Sequence, residues 1–354
     1  MAAPNILNPR HQNIFRATVN HYISTAEPVG SKTLVKEYDF QVSSATIRNV
    51  MGQLEKAGFL YQPHVSAGRI PSDSGYRLYV DELVVPNSQT RQQVHEALNR
   101  RSPDVGWGLE ATLQRATQIL STLSGYVALI TIPQQNQIRL KYIQLVPISG
   151  LKEENVMLIV VADSYQPQSL PLKLDCDPTE LEVLSNFLNH HLQGLTLREI
   201  AQINPEVLDQ DFRYCAELLR TIFQQVAKTV LTSTSTPILI RGISSVLRQP
   251  EFSQLEQVQT LLHLLETQQE ELLPVIFDSL QDERTTMIHI GTENPLEPMK
   301  TCALVASNYY QETIPMGSVA VIGPTRMFYE NTIALVEATA DYISENLNPA
   351  VQYS

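Results

Sequence analysis

The sequence predicts an α+β protein, and three observations predict it. Three short helical patterns and a turn-rich hairpin pattern fall within the first 85 residues. Strand-like runs then gather in two groups, one early in the remaining chain and one near its end. A mainly helical stretch separates those groups. With 354 residues the chain is long for one core, so two or three domains are expected. Hydrophobic residues make up 43% and charged residues 18%, a balance that folds rather than one that stays disordered.

From Arg10 to Ser24, Phe15, Val19, Tyr22 and Ile23 recur at the spacing of one buried helical face. Glu27-Pro28 ends that helix. Ser31 is placed to cap a second helix through Lys36, with Leu34 and Val35 as its apolar contacts. A turn over Tyr38–Val42 follows. Ser43 then caps a third helix to about Lys56, and Gly58 is suited to end it.

The third helix turns Ile47, Val50, Met51 and Leu54 inward. Its opposite surface carries Ala45, Arg48, Asn49, Gly52, Gln53 and Lys56, with Ser44 and Thr46 on the amino-terminal flank. Arg pairs with guanine, Asn or Gln with adenine, and hydroxyls reach bases or phosphates, so this surface suits a recognition helix. For one helix in isolation, a solvated face explains it as well. Phe59-Leu60-Tyr61 leads as a strand into Pro63–Pro71. Gly68 is placed to take positive φ at a hairpin tip, and Arg69 beside it to reach a phosphate or the minor groove. Ser72-Asp73-Ser74 opens a fourth helix with Tyr76, Tyr79, Val80 and Leu83 on one side. Together these elements predict a winged helix-turn-helix over residues 1–85, with DNA-binding candidates Ser44, Thr46, Arg48, Asn49, Gln53, His64, Ser66 and Arg69.

Charge is distributed to match. Between Arg10 and Tyr79, eight basic residues meet five acidic ones, a balance of +3. The rest of the chain then carries −15 of the total −12. Such a head attracts phosphates while the acidic body discourages non-specific contact.

Residues 86–104 are polar and read as a linker or an exposed helix. Leu109, Leu113, Ala116, Leu120 and Leu123 form a heptad-like stripe, read as a core face or as an oligomer seam. Strand-like runs follow at Tyr126–Ile132, Leu140–Pro147 and Val156–Ala162, alternating in the first two and wholly apolar in the third. Thr179–Leu192 aligns Leu181, Leu184, Leu188 and Leu192. Leu208, Phe212, Cys215, Leu219, Ile222 and Val226 repeat at spacings of four and three, a candidate dimer seam or an internal core helix. Gln254–Leu265 adds another amphipathic helix. Strands resume at Thr286–Ile290, Cys302–Ser307 and Ser318–Ile322, before a final helix bearing Val336, Ala340, Ile343 and Leu347.

Catalysis finds no motif: there is no GxGxxG after a strand, no P-loop, no HExxH and no GxSxG, so no catalytic residue is expected. His190 and His191 point in different directions on a helix and make a poor metal pair. Cys176, Cys215 and Cys302 lack CxxC spacing, so neither a metal nor a cofactor is expected. Gly323-Pro324-Thr325-Arg326 offers either an anion-binding turn or a plain strand-to-helix turn capped by Thr325. No apolar run is long enough to span a membrane, and Met1–Pro9 lacks the features of a secretory signal. The expectation is a cytoplasmic protein with no membrane partner.

One resemblance is specific. Ser43-Ser44-Ala45-Thr46-Ile47-Arg48-Asn49, Leu54-Glu55 and Gly58-Phe59-Leu60 resemble the DNA-binding domain of the HrcA family. So do Pro63-His64, Ser66–Pro71 and Gly75–Val80. Val65 stands where that family commonly has Thr, and Val50 where it commonly has a polar residue. Gln249–Phe252 and Gly317–Met327 look like segments of the same family, more diffusely. The resemblance implies a GAF-like α/β domain over 105–175 and 276–348, carrying an inserted helical dimerisation domain over 176–275. It also implies a homodimeric repressor of chaperone operons on an inverted-repeat operator in double-stranded DNA, kept active by a GroE-type chaperonin. A metabolite-sensing regulator with its ligand in the GAF-like domain is the alternative.

Overall fold

The structure, a computed structural model, describes residues 7–100, 109–133, 139–148, 156–162, 168–173, 177–196, 199–200, 238–246, 249–253, 255–277 and 286–347. The candidate seam Leu208–Val226 lies outside them, as do Cys176 and Cys215. The chain forms two compact units. One comprises residues 1–101, 115–130 and 239–354, the other residues 102–114 and 131–238.

The first unit begins with α1 (Pro9–Thr25), which Asn8 caps by accepting the His11 N–H at 2.9 Å. Ala26 turns left-handed and donates to the Tyr22 carbonyl, ending the helix just before Pro28. α2 (Ser31–Glu37) starts from the extended Gly30. The expected Ser31 cap is therefore corrected: Ser31 is already helical, and no side chain caps this helix. Leu34 is buried, whereas Val35 is exposed. α3 (Ser44–Lys56) is capped by Ser43, and Gly58 after it takes φ 83°.

β1 (Leu60–Tyr61) and β2 (Ile70–Pro71) pair antiparallel. Gly68 between them is not left-handed, contrary to the sequence expectation. Its constraint is space: an added Cβ would lie 2.4 Å from the Val29 carbonyl. Val29 and Arg69 exchange backbone hydrogen bonds of 2.9 and 2.8 Å, stitching the hairpin to the α1–α2 turn. α4 (Asp73–Leu83) is capped by Ser72 and buries Tyr76, Leu78, Tyr79 and Leu83. Gly75 lets that helix touch the β1 approach, where a Cβ would stand 2.0 Å from the Phe59 oxygen.

Residues 88–99 form α5 (Ser88–Asn99), a helix whose Val94 and Leu98 are buried. Its partner is α10 (Tyr329–Leu347), the last helix, in which Val336, Ala340, Ile343 and Leu347 are buried as their spacing predicts. In α6 (Leu109–Ser124), Leu113, Ala116 and Leu120 are buried but Leu123 is exposed. A five-stranded sheet runs in the order β7-β3-β10-β9-β8. Its strands are β3 (Val127–Thr131), β7 (Ile238–Arg241), β8 (Met287–Ile290), β9 (Cys302–Gln311) and β10 (Ile314–Pro324). β10 pairs antiparallel with both β3 and β9, and β8 with β9. The alternation expected in β3 is absent, because every residue of this interior strand is buried. α10 covers β9 and β10. Burial pushes the Cys302 thiol up to about 12, which leaves it a protonated core residue.

The second unit holds a separate sheet of β4 (Leu140–Pro147), β5 (Val156–Ala162) and β6 (Gln168–Leu172), in that order and antiparallel. α7 (Pro178–Leu192) places Leu181, Leu184, Leu188 and Leu192 on Leu140, Ile143, Leu145 and Leu158. Its Asn189 amide bonds both the N–H and the carbonyl of Ile143, at 2.8 and 2.7 Å. Ser185 accepts the Leu145 N–H at 3.0 Å. A helix thus satisfies the outer edge of β4, which pairs with no strand on that side among the described residues. The span 105–175, expected as one part of a domain, is divided between the units, because β4 pairs with β5 and not with β3. β7 returns the chain to the first unit, where α8 (Leu255–Thr267) and α9 (Gln269–Ile276) follow.

Because the Phe59 carbonyl is fixed backbone, Gly75→Ala should lower stability by about 1–3 kcal/mol. In denaturant titration the midpoint should fall with an unchanged slope.

Candidate nucleic-acid interface

α3 owes its position to two ends and one stripe. At its start the Ser43 hydroxyl accepts the Thr46 N–H at 3.2 Å and bonds the Thr46 hydroxyl at 3.0 Å. Ile47, Val50, Met51 and Leu54 are buried at 5% exposure or less, so rotation of the helix would expose its whole apolar stripe. The opposite side is thereby held outward. Arg48 and Asn49 are exposed there and make no side-chain hydrogen bond or ion pair among the described residues. Ala45 and Lys56 are exposed on the same helix, and Ser44 is half-buried at its flank.

The other expected residues divide. Gln53 is exposed, but its Oε1 lies 2.6 Å from His11 Nε2, tying α3 to the start of α1. His11 Nδ1 in turn meets Asn8 Oδ1 at 2.6 Å. His64 and Ser66 are exposed at the hairpin tip, flanking a Val65 that is 99% exposed. The Gln62 amide holds this tip by donating to the carbonyls of Val65 and Ala67, at 2.8 and 2.9 Å. Arg69 turns away from the tip: its Nε donates to Glu55 Oε2 of α3 at 2.9 Å. The structure therefore gathers Ser44, Thr46, Arg48, Asn49 and Gln53 on one helix and His64 and Ser66 on the hairpin tip, while Arg69 lies behind it.

Sequence reasoning missed how this head is anchored. Arg77 of α4 donates to both carboxylate oxygens of Glu293, at 3.0 and 2.5 Å, and to the Ile288 carbonyl at 2.6 Å. Asp73 accepts the N–H and hydroxyl of Thr292 at 2.9 and 3.0 Å. Tyr76 packs on Tyr329 with ring centroids 6.0 Å apart. Arg326, the candidate anion ligand, is already engaged: it pairs with Glu251, bonds the Gln249 side chain and donates to the Ile23 carbonyl at 3.1 Å. Thr325 does not cap the following helix, which starts at Tyr329. These contacts use α1 and α4, and none involves a residue of α3. No single-sequence signal marks Arg77 or Arg326 as anchors, because their partners lie more than 200 and 300 residues away.

Among the described residues no cluster of His, Cys, Asp or Glu is arranged to hold a metal ion. His190 and His191 meet ring to ring at 5.1 Å, with Phe187 against His191. No helix among the described residues is long and apolar enough to cross a membrane.

The family model described as the HrcA protein C terminal domain matches residues 110–333. The chain belongs to the HrcA family. The heat-inducible transcription repressor HrcA of Cyanothece sp. (strain PCC 7425 / ATCC 29141) is 50% identical over 359 residues, spanning 96% of this chain and 98% of that one. The same-named protein of Synechocystis sp. (strain ATCC 27184 / PCC 6803 / Kazusa) is 46% identical over 379 residues, spanning 98% and 100%. A solved structure described as a hypothetical protein shares the fold at TM-score 0.65 and 24% identity, covering 97% of this chain and 99% of its own. Family membership thus extends beyond the matched domain to the amino-terminal head.

The anchor carries a pH dependence. Burial alone would raise Glu293, but its bonds to Arg77 and to the Ile290 N–H hold it below its ordinary 4.5. Burial lowers His289 from 6.5. Both folded values are depressed, so both contributions are whole above the ordinary values and are lost as pH falls through the folded ones. The thermal midpoint should decline on acidification first below about 6.5 and again below about 4.5. In Glu293→Gln the second decline should be smaller, as read by Tm against pH.

Proposed function

We propose that the chain is a heat-inducible transcription repressor whose first 83 residues act as a winged helix-turn-helix. The observation that carries the reading is the unpartnered Arg48-Asn49 pair on the outer face of α3, beside a hairpin whose tip projects freely. An Arg and an Asn held outward by a buried stripe match what base edges in a major groove accept. The small Ala45 and Gly52 let the helix lie close to the groove floor. Names of the curated relatives and the head's excess of positive charge support the same conclusion.

The remaining parts of the proposal follow from that role. A homodimer presents two heads to the half-sites of an inverted-repeat operator in double-stranded DNA, and binding one head raises the effective concentration of the other. The sheet-bearing body is GAF-like, a domain inserted in it over 176–275 supplies the dimer contact, and the protein works in the cytoplasm without catalysis. A GroE-type chaperonin maintains the DNA-competent form, and heat relieves repression by drawing the chaperonin to unfolded clients. Support for that last step is topological: the head's anchor joins residues from opposite ends of the chain, which makes the competent form dependent on complete folding.

Fluorescence anisotropy on an inverted-repeat duplex from a chaperone promoter, against its scrambled form, tests the reading. Preference for the repeat that rises with chaperonin supports the whole scheme, while preference without that rise removes the chaperonin step. Equal and steeply salt-dependent binding to both duplexes removes the operator. Arg48→Ala should cost about 1–3 kcal/mol on the repeat with little loss on scrambled DNA. Its unfolding should stay within about 0.5 kcal/mol of the parent's.

The alternative is a metabolite-sensing regulator with its ligand in the GAF-like domain. A thermal midpoint that shifts with one metabolite and not with chaperonin would favour it.

A further inference from the structure

We propose that Arg69 is a positioning residue: with Glu55 it braces the hairpin against the third helix, and it does not meet a phosphate. This inference rests on the DNA-binding reading and assigns the parts of that same surface. Next to a projecting hairpin tip an arginine invites the opposite assignment, so the geometry has to decide.

Four observations do. The Arg69 Nε to Glu55 Oε2 distance is 2.9 Å, and the arginine side chain is only 21% exposed. Its backbone has no freedom to swing outward, because both its N–H and its carbonyl are bonded to Val29. Gly68 presses on the Val29 and Pro28 backbone, so the preceding residue is fixed as well. At the other end of the loop, Gln62 clamps the carbonyls of Val65 and Ala67. The hairpin is therefore a rigid arm fixed to the α1–α2 turn by backbone and to α3 by an ion pair. Its outermost residues are His64, Val65 and Ser66.

Glu55 explains why an arginine is needed. It lies seven residues beyond Arg48, so helical periodicity puts the two on one stripe of α3. An unpaired carboxylate there would repel the phosphates that the stripe faces. Arg69 cancels that charge and, in the same contact, sets the distance between hairpin and helix. Surface ion pairs add little to stability, so the effect is expected on DNA binding more than on folding.

Charge reversal separates a brace from a phosphate contact. Glu55→Arg, Arg69→Glu and the double variant are compared with Arg69→Ala for binding to the inverted-repeat duplex across salt concentrations. Hydrogen exchange over residues 62–69 is followed without DNA. The brace predicts about fivefold or greater weakening in each single variant and faster exchange in the hairpin. Both effects return to within about threefold of the parent in the double variant, with the salt slope unchanged. A phosphate contact predicts a salt slope lower by about 0.9 in Arg69→Ala and no rescue by the double variant, and that result overturns the proposal. Unchanged exchange in all variants overturns it too. Should the parent protein itself not prefer the repeat duplex, the DNA reading fails separately, and exchange still decides whether the brace exists.

Discussion

The Arg77–Glu293 contact ties α4, and with it the head that packs on α4, to the β8 end of the sheet. A guanidinium meets a carboxylate through two parallel bonds, and a third bond fixes the same guanidinium to the β8 backbone. With both side chains about one-third exposed, the pair contributes orientation more than stability. Around it, buried surface does the stabilising: Tyr76 and Tyr329 are each within 2% of full burial and pack against each other. Asp73 with Thr292, and Arg326 with the Ile23 carbonyl, set two further points. Together these contacts hold α1 and α4 of the head on its sheet.

α3 and the hairpin tip take no part in those contacts, and α2 is exposed as well. Positive charge in the head is sorted accordingly. Arg77 is consumed by the anchor and Arg69 by Glu55, while Arg10, Lys32, Lys36, Arg48 and Lys56 stay exposed. A count of basic residues therefore overstates the unpaired positive charge that the head presents.

Local elements were legible because their causes are local. Ser43 and Ser72 cap helices, and the stripe of Ile47, Val50, Met51 and Leu54 turns Arg48 and Asn49 outward, all within a few residues. Non-local causes were hidden. Gly68 looked like a positive-φ residue, but its constraint is Val29, a neighbour only once the chain has folded. Arg69 looked like a phosphate ligand until Glu55 stood beside it. β6 and β7 are short, and the polar residues 88–99 became a helix with a buried side only because α10 covers Val94 and Leu98. Arg326 was weighed against an anion, and its actual partners are a glutamate, a glutamine amide and a carbonyl brought from elsewhere in the chain.

The interleaving of the first unit also orders events in time. Its head is synthesised first, yet Glu293, Arg326 and Tyr329 emerge from the ribosome only after roughly 200–250 further residues. At about 5–20 residues per second, the tyrosine-lined underside of the head waits on the order of ten to fifty seconds for its cover. Meanwhile the chain is a nascent polypeptide with an apolar face bare and α3 already formed. Circularly permuted so that the segment from β8 through α10 preceded α1, the same residues would close that window almost at once.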